Sequence, residues 1–177
     1  MPRSSDKFHI VIINGSVRPG NYTNMASALV LDELKKHSKV STEVIDPATL
    51  SLTPPGTDPQ SKVAKHLQHK VGHATGVILA TPEYYGSFSN VMKLVIENLG
   101  YPSPLAVKPV ALLGVAGGTI GAVKSLEHLR SVVSHYWGDR VTAANFSREC
   151  AERLRPRGPM LGFRRGAAHP QRRNKSP

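Results

Sequence analysis

The chain has 177 residues, 40% of them hydrophobic, and a formal net charge of +11. This length and composition can bury a full core, so we expect one main domain. No apolar stretch approaches the ~20 residues of a membrane span, and the apolar run that begins at Phe8 has the character of a strand rather than of a signal peptide. The single cysteine, Cys150, rules out an intrachain disulfide and fits a reducing, cytoplasmic setting.

The positive charge is concentrated at the carboxyl end. Residues 138–177 hold ten Lys and Arg against three acidic residues, a net +7, whereas the preceding 137 residues carry a net +4. Basicity indicates nucleic-acid binding when it is spread over a folded face, which this pattern does not predict. We therefore expect a main domain at 1–146 and a disordered basic tail, rich in Pro, Gly and Arg, at 147–177.

The first organised segment is a strand, a loop and a helix. The short β-branched run from Phe8 to Ile13 predicts a strand that is buried on both faces. The chain turns through Gly15 and Gly20 before an amphipathic helix begins, and such a helix directs its free N–H groups and its positive dipole end at the loop. The loop side chains that suit an anion are Ser16, Arg18, Asn21, Thr23 and Asn24.

The common phosphate-binding loops can be compared with this segment one by one. A Walker loop needs Lys and then Ser or Thr after its second glycine, but Asn21 and Tyr22 follow Gly20. A dinucleotide-binding loop needs Gly-x-Gly-x-x-Gly, and Val17 stands at the second glycine position. A hydroxyl-rich loop for a terminal monophosphate, as in flavodoxin-like FMN sites, remains. Taken alone, an ordinary turn before a capped helix explains the segment equally well.

Strands and helices alternate along the rest of the chain. The pattern predicts strands at 40–46, 76–80 and 108–116 and a proline-rich connection at 47–59. It predicts three further helices: one at 61–73, one that follows the loop 81–87 and ends at about 100, and one that begins at 123. This alternation is typical of an α/β doubly wound parallel sheet. Three histidines on the second helix, His66, His69 and His73, have no Cys or acidic partners, so we interpret them as a solvated face and not as a metal site.

Three loops in this arrangement leave the carboxyl ends of strands, at 14–24, 81–87 and 116–121. Ligands of doubly wound sheets bind at that edge. In the second loop, Pro82 gives a rigid entry, Tyr84 and Tyr85 offer aromatic surface, and Gly86 lets the backbone approach a flat ligand. Ser87 is predicted to cap the next helix. In the third loop, Gly117 and Gly118 leave a ring unobstructed by Cβ atoms.

In order and spacing, these segments resemble the NADPH-dependent FMN reductase family over residues 8 to about 135. The resemblance is carried by Gly15-Ser16-Val17-Arg18, by Pro82-Glu83-Tyr84-Tyr85-Gly86-Ser87 and by Ala116-Gly117-Gly118. It implies a flavodoxin-like sheet with strand order 2-1-3-4-5, FMN as the cofactor and NADPH or NADH as the co-substrate. It also implies that Ser16 and Arg18 contact the phosphate, with Asn21 and Thr23 where the family commonly has Ser and Asn. The residues implied to surround the isoalloxazine are Pro82, Glu83, Tyr84, Tyr85, Gly86, Gly117 and Gly118.

The resemblance implies a cytoplasmic oxidoreductase that passes electrons in a ping-pong cycle to free flavin, quinones or similar acceptors. No catalytic side chain and no metal are expected. The third helix, through Val91, Leu94, Val95 and Asn98, is expected to build a homodimer or homotetramer. The alternatives are a flavodoxin-like electron carrier, and a degenerate flavodoxin scaffold whose basic tail binds nucleic acid.

The resemblance stops near Tyr136. The only candidate for the fifth strand of the sheet is 140–146, which is thinly apolar, so we expect this strand to be weak or missing and the core beside Leu126 and Leu129 to be under-filled. Residues 147–154 could form a short helix.

Overall fold

The computed structural model describes residues 7–106, 108–137 and 141–147. None of the described helices combines the length and the apolar character that a membrane span requires. The elements in chain order are β1 Phe8–Asn14, α1 Tyr22–Leu34, β2 Val40–Ile45, α2 Lys62–His73, β3 Gly76–Tyr84, β4 Ser87–Phe88, α3 Asn90–Asn98, β5 Val110–Ala116, α4 Val123–Trp137 and β6 Val141–Ser147, with a short 3₁₀ turn at Pro47–Thr49.

Five strands form a parallel sheet in the order β2-β1-β3-β5-β6, and the two-residue strand β4 pairs antiparallel with the end of β3. When β4 is set aside, this is the order 2-1-3-4-5. The predicted flavodoxin-like architecture is therefore confirmed. The crossovers through α1, α2, α3 and α4 supply the helices that cover the two faces of the sheet.

The prediction of a weak or missing fifth strand is wrong. The strand β6 pairs with β5 in parallel over its full length, from Val110 opposite Val141 to Ala116 opposite Ser147. The open edge of β5 offers a complete row of backbone donors and acceptors, and pairing with that edge needs no strongly apolar sequence. Tertiary context has overridden a weak local signal. Residues 148–177, which include Cys150, the proposed short helix and nearly all of the proposed tail, lie outside the described residues.

The core lies on both faces of β1 and β3. On one face, β1 and β3 pack against buried side chains of α2, α3 and α4, including Leu67, Val95 and Leu129. On the other face, Ala26 of α1 packs with Leu113 and other small or aliphatic side chains. Val11, Ile12 and Ile13 have no exposed surface, in agreement with a central strand buried on both faces.

The beginning of α4 lies directly against β5. A Cβ on Gly114 would be 2.8 Å from Ala122 Cβ and 2.8 Å from Leu126 Cγ, closer than real atoms approach. Leu126 and Leu129 are 7% and 0% exposed, so the core that we expected to be under-filled is closely packed there. Val123, the first residue of α4, is 41% exposed.

Candidate functional site at the carboxyl edge of the sheet

The parallel register brings the three predicted loops to one edge of the sheet. The strands β1, β3 and β5 are neighbours, with Asn14 opposite Ala80 and Pro82 opposite Val115. Because all three strands run in the same direction, the segments that follow them emerge side by side. The juxtaposition predicted from the sequence is confirmed by this register.

The first loop contains one buried hydroxyl and one exposed cation. Ser16 is 2% exposed, and its Oγ has no hydrogen-bond partner among the described residues. Arg18 is exposed and forms no ion pair with any residue of the described chain. A buried hydroxyl without a partner is costly unless a ligand or water completes it, so Ser16 is a candidate donor to an anion.

Asn21 has a structural role in this loop. Its Oδ1 accepts the Asn24 N–H at 2.8 Å, which caps α1, and its Nδ2 donates to the Arg18 carbonyl at 2.6 Å. Asn21 therefore shapes the loop, and its expected contact with the phosphate stays a prediction. Thr23 is buried in the first turn of α1, and Asn24 Oδ1 is a buried acceptor without a partner among the described residues.

Ser89 joins the first two loops, and the sequence analysis missed it. Its Oγ donates to the Gly15 carbonyl at 2.5 Å and accepts the Met92 N–H at 3.0 Å, so Ser89 is the N-cap of α3. Its own N–H donates to Thr81 Oγ1 at 3.1 Å. A serine shortly before an amphipathic stretch was the available signal, and Ser87 carried the same signal two residues earlier.

The predicted loop 81–87 is largely a β-hairpin. Strand β3 continues to Tyr84, which pairs with Ser87 of β4 across a two-residue turn. The turn residues Tyr85 and Gly86 have φ values of +51° and +73°, which indicate a type I′ turn. Pro82 lies buried within β3, and the prediction that Ser87 caps the following helix is wrong because Ser87 is a strand residue.

The hairpin is fastened to α4 by two contacts. Glu83 Oε2 accepts the Ser125 N–H at 3.1 Å, in the first turn of α4, and Ser87 Oγ lies 3.1 Å from His128 Nδ1. A carboxylate at this position also complements the positive end of the helix dipole. The Glu83 carboxylate is thus hydrogen-bonded to α4, whereas Tyr84 and Tyr85 of the same hairpin are exposed to solvent. Neither Ser125 nor His128 carries a sequence signal that would reveal these contacts.

The third loop leaves open space. A Cβ on Gly117 or Gly118 would meet no atom of the described chain within 4 Å, and neither glycine has a positive φ. Packing within the described chain therefore does not require glycine at either position, and room for a ligand is one physical reason for it. Gly121 differs, since its φ is +77° and its N–H closes the turn onto the Gly118 carbonyl at 3.1 Å.

Two pKa shifts occur away from this edge. Burial lowers the pKa of the Lys108 ammonium, which donates to the carbonyls of Gly72 and Ala74 at 2.8 and 2.7 Å where α2 ends. A hydrogen bond from Lys36 lowers the pKa of the Glu33 carboxyl on α1. Neither group belongs to the three loops, so neither supplies an acid or base to the site.

Cavities and clusters of metal-binding side chains are two further kinds of ligand site. A cavity of about 290 Å³ lies beneath the proline-rich connection, between α2 and the end of α3. Among the described residues, no group of three or more His, Cys, Asp and Glu side chains could hold a metal ion.

The sequence matches the profile of one protein family, described as NADPH-dependent FMN reductase, over residues 8–149. The FMN-dependent NADPH-azoreductase of Staphylococcus haemolyticus is 30% identical over 135 residues, which cover 72% of this chain and 70% of that protein. The protein of the same name from Staphylococcus aureus matches with the same identity and coverage.

Solved structures of flavoenzymes share the fold. The NAD(P)H:acceptor oxidoreductase FerB of Paracoccus denitrificans superposes with a TM-score of 0.65 at 20% identity, covering 77% of this chain and 75% of that one. An NADH:FMN oxidoreductase solved in its apo form gives 0.65 at 24% identity, covering 80% and 75%. An FMN-dependent NADH-azoreductase of Bacillus anthracis, solved with FMN, gives 0.62 at 10% identity, covering 81% and 89%.

Proposed function

The chain belongs to the NADPH-dependent FMN reductase family, and from this premise we propose that it uses bound FMN to pass electrons from NADPH or NADH to a small organic acceptor. The acceptor classes that we propose are free flavin, quinones and azo compounds. Relatives named as azoreductases support the last class. The order of events that we propose is a ping-pong cycle, in which the donor leaves before the acceptor enters.

The observation that carries the proposal is the unpartnered hydroxyl of Ser16. It is buried in the loop that joins β1 to the N-terminus of α1, where backbone N–H groups and the helix dipole favour an anion. A phosphate oxygen accepts hydrogen bonds, so it complements the Ser16 O–H. Arg18, exposed on the same loop, supplies the positive charge. The residues present therefore fit the phosphate end of FMN.

The remaining groups at this edge fit the other parts of the same cofactor. Asn24 Oδ1 is an unpartnered acceptor, which complements a hydroxyl of the sugar-alcohol chain. The open space over Gly117 and Gly118 and the backbone of the hairpin at Tyr84 and Gly86 suit a flat ring. At one edge of the sheet, the site thus offers an anion-binding loop, a polar acceptor and open space beside two glycines.

In the proposed reaction, the protein binds and orients FMN and admits the donor and the acceptor to it. The chemistry that FMN supplies when bound is acceptance of hydride from the nicotinamide and release of electrons to the acceptor. The Glu83 and Ser89 contacts hold the hairpin at a fixed distance from α4 and from the first loop. Tyr84 and Tyr85 are exposed, so the site opens to solvent on the hairpin side. In the ping-pong order that we propose, donor and acceptor approach from this exposed side in turn.

The test is cofactor binding followed by turnover. We expect the purified chain to bind added FMN, and the loaded protein to oxidise NADPH steadily without a reductase partner, with parallel double-reciprocal plots at several acceptor concentrations. Ser16→Ala should bind FMN at least several-fold more weakly, since one hydrogen bond to a charged group is lost. Protein that takes up no FMN would contradict the proposal. Turnover only in the presence of a separate reductase would indicate an electron carrier.

A further inference from the structure

The turn of the hairpin contains a residue that does not suit its backbone. Tyr85 is the one non-glycine residue of the described chain with a positive φ. The first position of a type I′ turn favours Asn, Asp or Gly, because other side chains are crowded by their own backbone in the left-handed region. Tyrosine at this position destabilises the fold relative to asparagine.

Contacts within the chain do not offset this cost. The Tyr85 side chain is fully exposed, and no hydrogen bond or ring contact of Tyr85 occurs among the described residues. The neighbouring Gly86 has the conformation and the residue type that the turn requires. The hairpin would form more readily if asparagine preceded Gly86 in the turn, so folding alone does not explain the tyrosine.

The ring stands at the edge of the sheet that carries the proposed FMN site. Each of the three loops there presents large apolar or aromatic side chains to solvent, namely Val17 at 46% exposure, Tyr84 and Tyr85, and Ile120 at 80%. Exposed apolar side chains that occur singly need no explanation. Here they occur on the three loops that meet at the carboxyl edge of the sheet, where the proposed FMN site lies.

We propose that Tyr85 is a specificity-determining residue whose ring contacts the planar electron acceptor. The ring is fully exposed at the turn of the hairpin, where an aromatic acceptor can stack on it and a small non-planar oxidant cannot. The resemblance implied that Tyr85 surrounds the cofactor, whereas this inference assigns it to the substrate. It rests on the proposed function and adds to it the residue that selects the acceptor.

The test compares two acceptors, 1,4-naphthoquinone and ferricyanide, with the FMN-loaded protein and NADPH. In Tyr85→Asn we expect the ratio of the KM for naphthoquinone to the KM for ferricyanide to rise about tenfold, as the loss of about 1.4 kcal/mol of stacking predicts. The Tm of the same variant should rise by about 2–4 °C, because asparagine relieves the turn. Selectivity falls while stability increases, which a merely structural tyrosine would not produce.

Two further variants separate the ring from the backbone. Tyr85→Ala removes the ring and keeps a Cβ at the same φ, so the KM ratio should rise as in Tyr85→Asn without the gain in Tm. Tyr85→Phe keeps the ring and should restore the wild-type ratio. The Kd for FMN and the sedimentation coefficient are measured for every variant.

Each other outcome overturns the inference. An unchanged KM ratio in both Tyr85→Asn and Tyr85→Ala means that the ring does not select the acceptor. A weakened Kd for FMN with an unchanged ratio makes Tyr85 part of the cofactor wall, and a change from dimer to monomer places it between copies of the chain. Wild-type protein that binds no FMN overturns the proposed function as well, whereas normal FMN binding and turnover with an unchanged ratio overturns only this inference.

Discussion

Ser16 and Arg18 stand two residues apart but differ in what burial does to them. The Ser16 hydroxyl is sealed in the fold, so its unmade hydrogen bond is costly, whereas the guanidinium of Arg18 is hydrated and screened by salt. We therefore expect the Ser16 hydroxyl to orient the phosphate through a hydrogen bond and the Arg18 guanidinium to attract it electrostatically. Asn21, between them and α1, gives the loop its shape.

Replacing Arg18 with Ala should weaken FMN binding by about 1.5 kcal/mol, the lower end of the range for a charged hydrogen bond because the side chain is exposed. The loss should shrink as salt is added. Turnover at saturating FMN should change little, since the guanidinium serves the phosphate. Calorimetric titration with FMN at two salt concentrations measures the effect. Lys62→Ala, an exposed cation on α2, is the matched control. Full affinity with lost turnover would mean that the loop contacts the ring.

Glu83 gives a second residue-scale prediction. Glu83→Ala removes the acceptor for the Ser125 N–H and the negative charge beside the N-terminus of α4, so it should lower the free energy of unfolding by about 1–2 kcal/mol. Glu83→Gln keeps an acceptor oxygen and should lose less than half of that. Urea unfolding of the two variants gives the comparison. Equal losses would show that charge, and not the hydrogen bond, is what matters there.

At the scale of elements, one hairpin and one N-cap organise the middle of the site. The sequence offers Ser87 and Ser89 as alternative caps for α3, and local preference does not choose between them. The pairing of Tyr84 with Ser87 takes the first serine into β4, and the Gly15 carbonyl that follows β1 accepts a hydrogen bond from the second. The hairpin therefore decides where α3 begins.

Ser89→Ala should lower the free energy of unfolding by about 2 kcal/mol, because it leaves the Gly15 carbonyl and the Met92 N–H without their partner. It should also weaken FMN binding, since Gly15 precedes Ser16. Ser87→Ala is the matched control and should cost under about 0.5 kcal/mol of stability, as its Oγ contact with His128 is exposed. Chemical denaturation of the two variants measures the loss in the free energy of unfolding that each substitution causes. A larger effect for Ser87 would overturn this assignment of the cap.

For the whole molecule, the cofactor should be a stabilising ligand. At a concentration of 100 times Kd, FMN bound only by the folded protein adds about 2.7 kcal/mol, which corresponds to a rise in Tm of about 5–10 °C. Riboflavin has the same ring without the phosphate, so it should stabilise the chain distinctly less at the same concentration. Thermal unfolding with each ligand is the measurement. Equal shifts would argue against a phosphate cradle in the first loop.

Self-association through α3 is a proposal that now rests on fewer residues. Val95 has no exposed surface, and Asn98 donates its Nδ2 to the carbonyls of Thr53 and Leu94 at 3.0 and 2.9 Å, so both serve their own fold. Val91 and Leu94 are partly exposed and could contact a second copy. We expect sedimentation equilibrium at micromolar concentration to give a dimer. Monomers under those conditions would remove the proposal.

The class of sheet, the alternation of strands and helices along the chain and the three segments that meet at the carboxyl edge were all predictable from the sequence. These follow from local rules, namely period, β-branching and glycine placement, that need no knowledge of distant residues. Ser16 and Gly117 could be named as site residues for the same reason. Each lies within three residues of the end of a predicted strand, and the carboxyl ends of parallel strands meet at the same edge.

The remaining features were not predictable from the sequence, because each depends on a partner far away in the chain. The weak segment at 141–147 became a regular strand since β5 offered it an open edge. The predicted loop at 81–87 became a hairpin fastened to α4 through Glu83, and Ser89 replaced Ser87 as a cap since Gly15 lay within reach. Hydrogen bonds between residues far apart in the chain cannot be predicted from the local sequence. That is the physical reason why elements were predictable and the contacts between them were not.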